Sequence, residues 1–177
     1  MINTIVVPTD GSDHADKAVE LAADMADKYG ARVVLLHTLL RHTSDADLRD
    51  LCEKLKAPAE LTAKMDELQE QMIEAASASM TPYTPIPLPV PDEVLEGLAK
   101  AVTEKASAVF AAKGVKNVEV KIADGSPADI ILGAAEHEKA DMIVMGSRGL
   151  GKFADLLMGS VSHKVSHLAP CTCVTVK

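Results

Sequence analysis

Near the C-terminus, three glycines and a hydroxyl have the spacing of a phosphate cradle: Gly146-Ser147-Arg148-Gly149, nine residues, then Gly159-Ser160. The first four follow an apolar, strand-like run, Asp141-Met142-Ile143-Val144-Met145, and the last two precede a helical segment. Glycine accepts positive φ and puts no Cβ between backbone N–H groups and an anion, and the following helix offers unpaired first-turn donors. The chemistry implied is nucleotide binding, with Arg148 and Lys152 as the cations near the phosphates.

Other readings of the same residues are weaker. Gly146 to Lys152 reproduces the Gly-x4-Gly-Lys of a P-loop, but Phe153 stands where that motif needs a hydroxyl for magnesium. Asp10, in Pro8-Thr9-Asp10-Gly11-Ser12, either bonds nearby backbone N–H groups or contacts a ribose or base. No second acid or base can be placed beside it, so no catalytic residue is assigned. His163 and His167 lie one helical turn apart near Cys171 and Cys173, yet their spacing matches no standard zinc pattern. These cysteines read as small core hydrophobes on a buried strand, and no metal ligand is assigned.

The elements that must position these residues alternate along the chain. Thr4 to Val7 reads as a buried strand, and Ser12 or Asp13 caps a helix with Ala18, Leu21, Ala22, Met25 and Ala26 on one stripe, stopped at Gly30. A second strand, Val33 to Leu36, ends near His37-Thr38. A helix over Asp92 to Lys113, a strand at Val118 to Ile122 with one wetter face, and a helix after Gly125-Ser126-Pro127 follow. Then come the strand Asp141 to Met145, a helix over Ser160 to His167 and a last strand from Cys171 to Val176. This grammar predicts an α/β fold, an open, doubly wound, five-stranded parallel sheet of Rossmann-like type. The loops at Pro8 to Ser12, at Thr38 and at Gly146 to Ser160 fall on one sheet edge, where such folds bind ligands. The stretch 41–91 reads as an insertion in a single domain spanning 1–177. Leu61, Met65, Leu68 and Met72 predict an amphipathic helix over Ala59 to Met80, and a stiff, extended proline run, Thr81 to Pro91, follows it.

Composition sets the outer limits. The 177 residues are 47% hydrophobic but only 2% aromatic, so the core is aliphatic and stacking platforms for bases are scarce. A net charge of −8 argues against nucleic acid and membrane surfaces as partners. The N-terminal apolar run breaks at Pro8 without a basic flank, so no signal peptide is expected. No run is long enough to span a bilayer, and the three cysteines are no disulfide framework. Cytoplasmic residence is the expectation.

On these motifs the chain resembles the universal stress protein family, in its ATP-binding branch. The family's Gly-x-x-Gly, nine residues, Gly-Ser/Thr is matched by Gly146, Gly149, Gly159 and Ser160; Pro8-Thr9-Asp10 and Leu36-His37 match its first two strand ends. The likeness covers roughly 2–40 and 92–176. It implies ATP or another adenine nucleotide, with magnesium left open. The phosphates would lie along Met145, Gly146, Arg148, Gly149, Gly159, Ser160, Val161 and Ser162, and the base and ribose against Pro8, Thr9, Asp10 and Thr38. Thr38 stands where the family often has Val. The resemblance further implies a homodimer through the C-terminal strand and a stress-linked regulator or sensor. A slow ATP hydrolase and a partner-binding scaffold with a vestigial site are the alternatives.

Overall fold

The apolar runs form five strands: β1 (Thr4–Pro8), β2 (Arg32–Thr38), β3 (Val118–Ala123), β4 (Met142–Gly146) and β5 (Thr172–Val176). A computed structural model describes residues 1–78, 89–151 and 158–177, with backbone alone at 72 and 75–78. The proline run from Thr81 to Leu88, with Ile86 and Leu88, lies outside the described residues, as do Lys152, Phe153 and the side chain of Met72. All strands pair in parallel, in the order β3-β2-β1-β4-β5. The winding therefore reverses between β1 and β4, which is where an α/β sheet opens a crevice at its strand C-terminal ends.

Both faces of the sheet are covered, because alternate residues of the buried strands point to opposite sides. On one face Ile5, Val7, Val33, Leu35 and Val144 meet α1 (Asp13–Tyr29) and, from α4 (Asp92–Ala112), Ala106 and Phe110. On the other, Val6, Val34, Ile143 and Met145 meet α5 (Pro127–His137) and Val165 of α6 (Ser160–Leu168). Ser12 caps α1 by accepting from the Ala15 amide at 3.3 Å, and Gly30, at φ +65, ends it. The buried stripe of α1 is Ala15, Ala18, Val19, Ala22, Ala23 and Ala26. Leu21, expected on it, is 37% exposed, because a face of alanines brings the helix close to the sheet and leaves larger side chains at the rim.

Residues 41–91 add two helices, α2 (Asp45–Leu55) and α3 (Ala59–Ala78). Leu61, Met65 and Leu68 are buried as the periodicity predicts. The short α2, capped by Ser44, was not foreseen as a separate element; its Leu48, Leu51 and Cys52 join α3 and α4 in a third apolar cluster. This cluster reaches the first loop. Gly11, at φ +82, is so close to Leu51 that a Cβ would lie 2.8 Å from its Cδ1, and Lys54 of α2 donates to the Gly11 carbonyl at 2.7 Å.

The two edge strands depart from expectation in different ways. The alternation in β3 predicts a buried apolar face, but Val120 and Ile122 are 44% and 49% exposed. Only Val118 packs against the core, since β3 ends the sheet and α4 lies mainly over β2. At the other edge, β5 starts at Thr172, one residue later than expected, and is half-buried rather than buried. Cys171 and Cys173 are free thiols packed against the second cluster, while His163 and His167 face solvent.

Charge closes the far end of the β2–β3 pair. Glu138, just past α5, is hydrogen-bonded by Lys121 and His137 and paired with Arg32, and these partners hold its carboxyl down at about 2. The unfolded chain therefore takes up this proton first as pH falls. Stability contributed by Glu138 is complete above about 4.5 and is lost between about 4.5 and about 2. Glu138→Gln is expected to flatten that part of the acid-unfolding curve, read by circular dichroism. An unchanged slope would show that the carboxylate is not held by its neighbours.

Candidate functional site

The site is built from the two loops that leave β1 and β4. Asp10 joins them: its Oδ1 accepts from the Ser12 amide at 3.0 Å and its Oδ2 from the Leu150 amide at 3.1 Å. A Cβ at Gly149 would overlap that same Oδ2. Of the two roles open to Asp10, backbone bonding is thus present in the structure. Ser12 adds a second tie, donating to the Arg148 carbonyl at 3.3 Å.

Ser147, only 1% exposed, is the hub of the β4 loop. Its amide donates to Val176 of β5 at 2.7 Å, and its carbonyl accepts from the Gly159 amide at 2.8 Å and the Ser162 hydroxyl at 2.6 Å. Its own hydroxyl meets His14 Nδ1 at 2.9 Å. One residue therefore binds β5, α6 and α1 together.

The three motif glycines have different causes, and none has a left-handed φ. Gly146 leaves room for α1, since a Cβ would come within 2.8 Å of the Ala15 nitrogen and the His14 carbonyl carbon. Gly149 leaves room for Asp10. Gly159 has no such reason: it is the N-cap of α6 at φ −72, and its Cβ would make ordinary contacts of 3.5–3.6 Å with Arg148, Ser162 and Ser147. No side chain among the described residues caps α6, as none caps α4 or α5, whereas serines cap α1 and α2. Among the described residues, no acceptor meets the first-turn amides of Ser160, Val161 and Ser162. The Arg148 guanidinium has no ion pair among the described residues, and it lies close enough to His14 to disfavour that ring's protonation.

The β2 end is clamped to the first loop. The Thr9 amide donates to the Leu36 carbonyl at 2.9 Å, and His37 Nδ1, a donor here, bonds the Thr9 carbonyl at 2.8 Å. His37 is fully buried, its Nε2 has no partner among the described residues, and burial holds it below the ordinary imidazole value. Burial, with the Arg148 and Lys17 cations, lowers His14 as well.

A cleft of about 430 Å3, within the usual range for ligand sites, opens between α1, α2 and the β4 loop. Of the residues expected to bind nucleotide, Arg148 and Gly149 line it. Pro8 ends β1 and Thr9 and Asp10 follow it, Thr38 ends β2 opposite Ala123, and Gly146, Gly159, Ser160 and Ser162 flank the Ser147 hub. Met145 and Val161 turn their side chains into the second apolar cluster, so only their backbones are available to a ligand.

The profile described as the universal stress protein family matches residues 1–177. The chain belongs to that family. A universal stress protein from Thermus aquaticus is 31% identical over 181 residues, covering all of both chains. Among solved structures, a universal stress protein in complex with cAMP superposes with a TM-score of 0.61 at 22% identity, over 99% of this chain and 97% of the other. One from Archaeoglobus fulgidus in complex with dAMP gives 0.59 at 18% identity, over 100% and 98%. At those identities the structural likeness carries the fold. The family match also runs through 41–91, which the motif-based likeness had left aside.

Sequence reasoning missed Ser147, His14 and Lys54, and gave His37 no role. A serine inside Gly146-Ser147-Arg148-Gly149 was visible, but its bonds run to residues 12 to 133 positions away, and no local spacing reveals them.

Proposed function

We propose that this protein binds ATP or a related adenine nucleotide and serves as a stress-linked regulator or sensor in the cytoplasm, rather than as a dedicated catalyst. The carrying observation is the start of α6 behind Gly159, which no described side chain caps and where the described packing does not require a glycine, beside Arg148, which has no ion pair among the described residues. A phosphate is the acceptor that such a helix start and guanidinium favour. The adenine nucleotides in the cAMP and dAMP complexes of its structural neighbours support the same reading. Base and ribose would lie against Pro8, Thr9, Asp10 and Thr38. Magnesium would enter with the nucleotide, since no group of three His, Cys, Asp or Glu side chains among the described residues could hold a metal. Among those residues no helix is long and apolar enough to cross a membrane. The free edge of β5 is the proposed homodimer contact, because pairing there would satisfy its open backbone groups.

The test is direct. Purified protein, denatured and chromatographed, should release an adenine nucleotide or, if clean, should bind added ATP by calorimetry. Gly159→Val should fold normally and weaken ATP by at least about tenfold, or about 1.4 kcal/mol, because the branched side chain occupies the phosphate approach. Failure of the wild type to bind any adenine nucleotide overturns the reading. Unchanged affinity in folded Gly159→Val moves the phosphates elsewhere.

A further inference from the structure

We propose that His14 reads the terminal phosphates of a nucleoside polyphosphate, taking up a proton as they enter the cleft between α1, α2 and the β4 loop. The inference rests on the nucleotide reading above and deepens it. The α6 start and the cleft share one wall: the Cβ direction of Gly159 meets the Arg148 Cα at 3.5 Å, and Arg148 also lines the cleft with His14. A phosphate chain that begins on the α6 amides and continues past Arg148 enters the cleft. On this reading a monophosphate would end before it.

Within the cleft, His14 is the group free to respond. Lys54 is already engaged by the Gly11 carbonyl, Asp13 and Asp16, at 2.7, 2.7 and 2.8 Å. Burial alone would lower Lys54, but these carboxylates outweigh it and keep the ammonium charged. Ser147 fixes the His14 ring through Nδ1, and Nε2 has no partner among the described residues. A protonated ring would therefore present a fixed N–H donor to an anion.

The charges around His14 set the direction of the response. Asp13 and Lys17 stand on its own helix, Asp10 on the β1 loop and Arg148 on the β4 loop. Asp47, Asp50 and Lys54 line the cleft from α2. Without ligand, burial and the Arg148 and Lys17 cations keep the ring neutral near neutral pH. A polyphosphate beside Arg148 offsets that cation and favours the imidazolium. Bound His14 then has the higher value, so ATP affinity is weakest above it, grows as pH falls and levels off below the ligand-free value.

The experiment compares wild type with His14→Gln by calorimetry, titrating ATP and AMP from about pH 8 to about pH 6, a range spanning the ordinary imidazole value. ATP affinity should rise several-fold more in wild type than in the variant, towards the roughly tenfold limit that a one-unit displacement sets below the ligand-free value. AMP should show no such difference. The Cε1 proton of His14, assigned by its loss in the variant, should titrate about one pH unit higher with ATP and stay in place with AMP. Equal pH slopes in the two proteins, an unmoved His14 resonance, or AMP acting like ATP each overturn the proposal while leaving nucleotide binding intact. No binding of ATP by wild type at any pH removes both readings.

Discussion

Gly146→Ala is expected to be strongly destabilising, by about 3 kcal/mol, near the top of the range for overpacking. The added methyl meets backbone atoms, the Ala15 nitrogen and the His14 carbonyl carbon at 2.8 Å, and backbone cannot swing aside as a side-chain tip can. Relief requires α1 to shift away from β4, and the alanine face of α1 has no long side chains to fill the gap. For a chain of 177 residues a loss of about 3 kcal/mol corresponds to a drop of about 6–12 °C in Tm. Differential scanning calorimetry checks it. A drop below about 2 °C, less than 1 kcal/mol, would show that α1 does not press on the end of β4. The contrast with Gly159→Val is the useful part: one glycine serves folding, the other is free to serve a ligand.

Asp10→Ala is expected to act on both stability and binding. The substitution removes a carboxylate that accepts two backbone amides, Ser12 and Leu150, from two different loops. Hydrogen bonds to a charged group contribute about 1.5–3 kcal/mol each, and partial exposure puts these near the lower figure, so a loss of about 3 kcal/mol is expected. ATP affinity should fall at least about tenfold, since the β4 loop loses its tie to the β1 loop. The pair with Gly149 supplies an internal check. Gly149→Ala collides with Asp10 in the wild type, and that collision disappears in Asp10→Ala. The double variant should therefore be more stable than the sum of the single losses predicts, by about 0.5–3 kcal/mol in a double-mutant cycle. Strict additivity would mean that the carboxylate does not sit over Gly149.

Much of the architecture was legible because buried parallel strands write themselves as short apolar runs between helical periods. Val33 to Leu36 and Met142 to Met145 are such runs, and both are core strands. What failed was tertiary. Val120 and Ile122 alternate as a buried face should, but whether a helix covers that face depends on where β3 falls in the sheet. The signal for α2 was present in Ser44 followed by Leu48, Leu51 and Leu55, one cap and one stripe, yet it sat inside a stretch whose polarity hid it. The motif glycines were found by spacing, while the reasons for two of them, His14 and Asp10, are packing partners over 130 residues away. No periodicity encodes a contact of that range.

The Ser147 carbonyl has a dynamic consequence. It holds the Gly159 amide and the Ser162 hydroxyl at once, while the Ser147 amide holds Val176. Rotating that peptide enough to free Gly159 also releases the first turn of α6, so the two open as one unit. Amide hydrogens of Gly159 and His163 should accordingly exchange with solvent at matched rates, and nucleotide should slow both together.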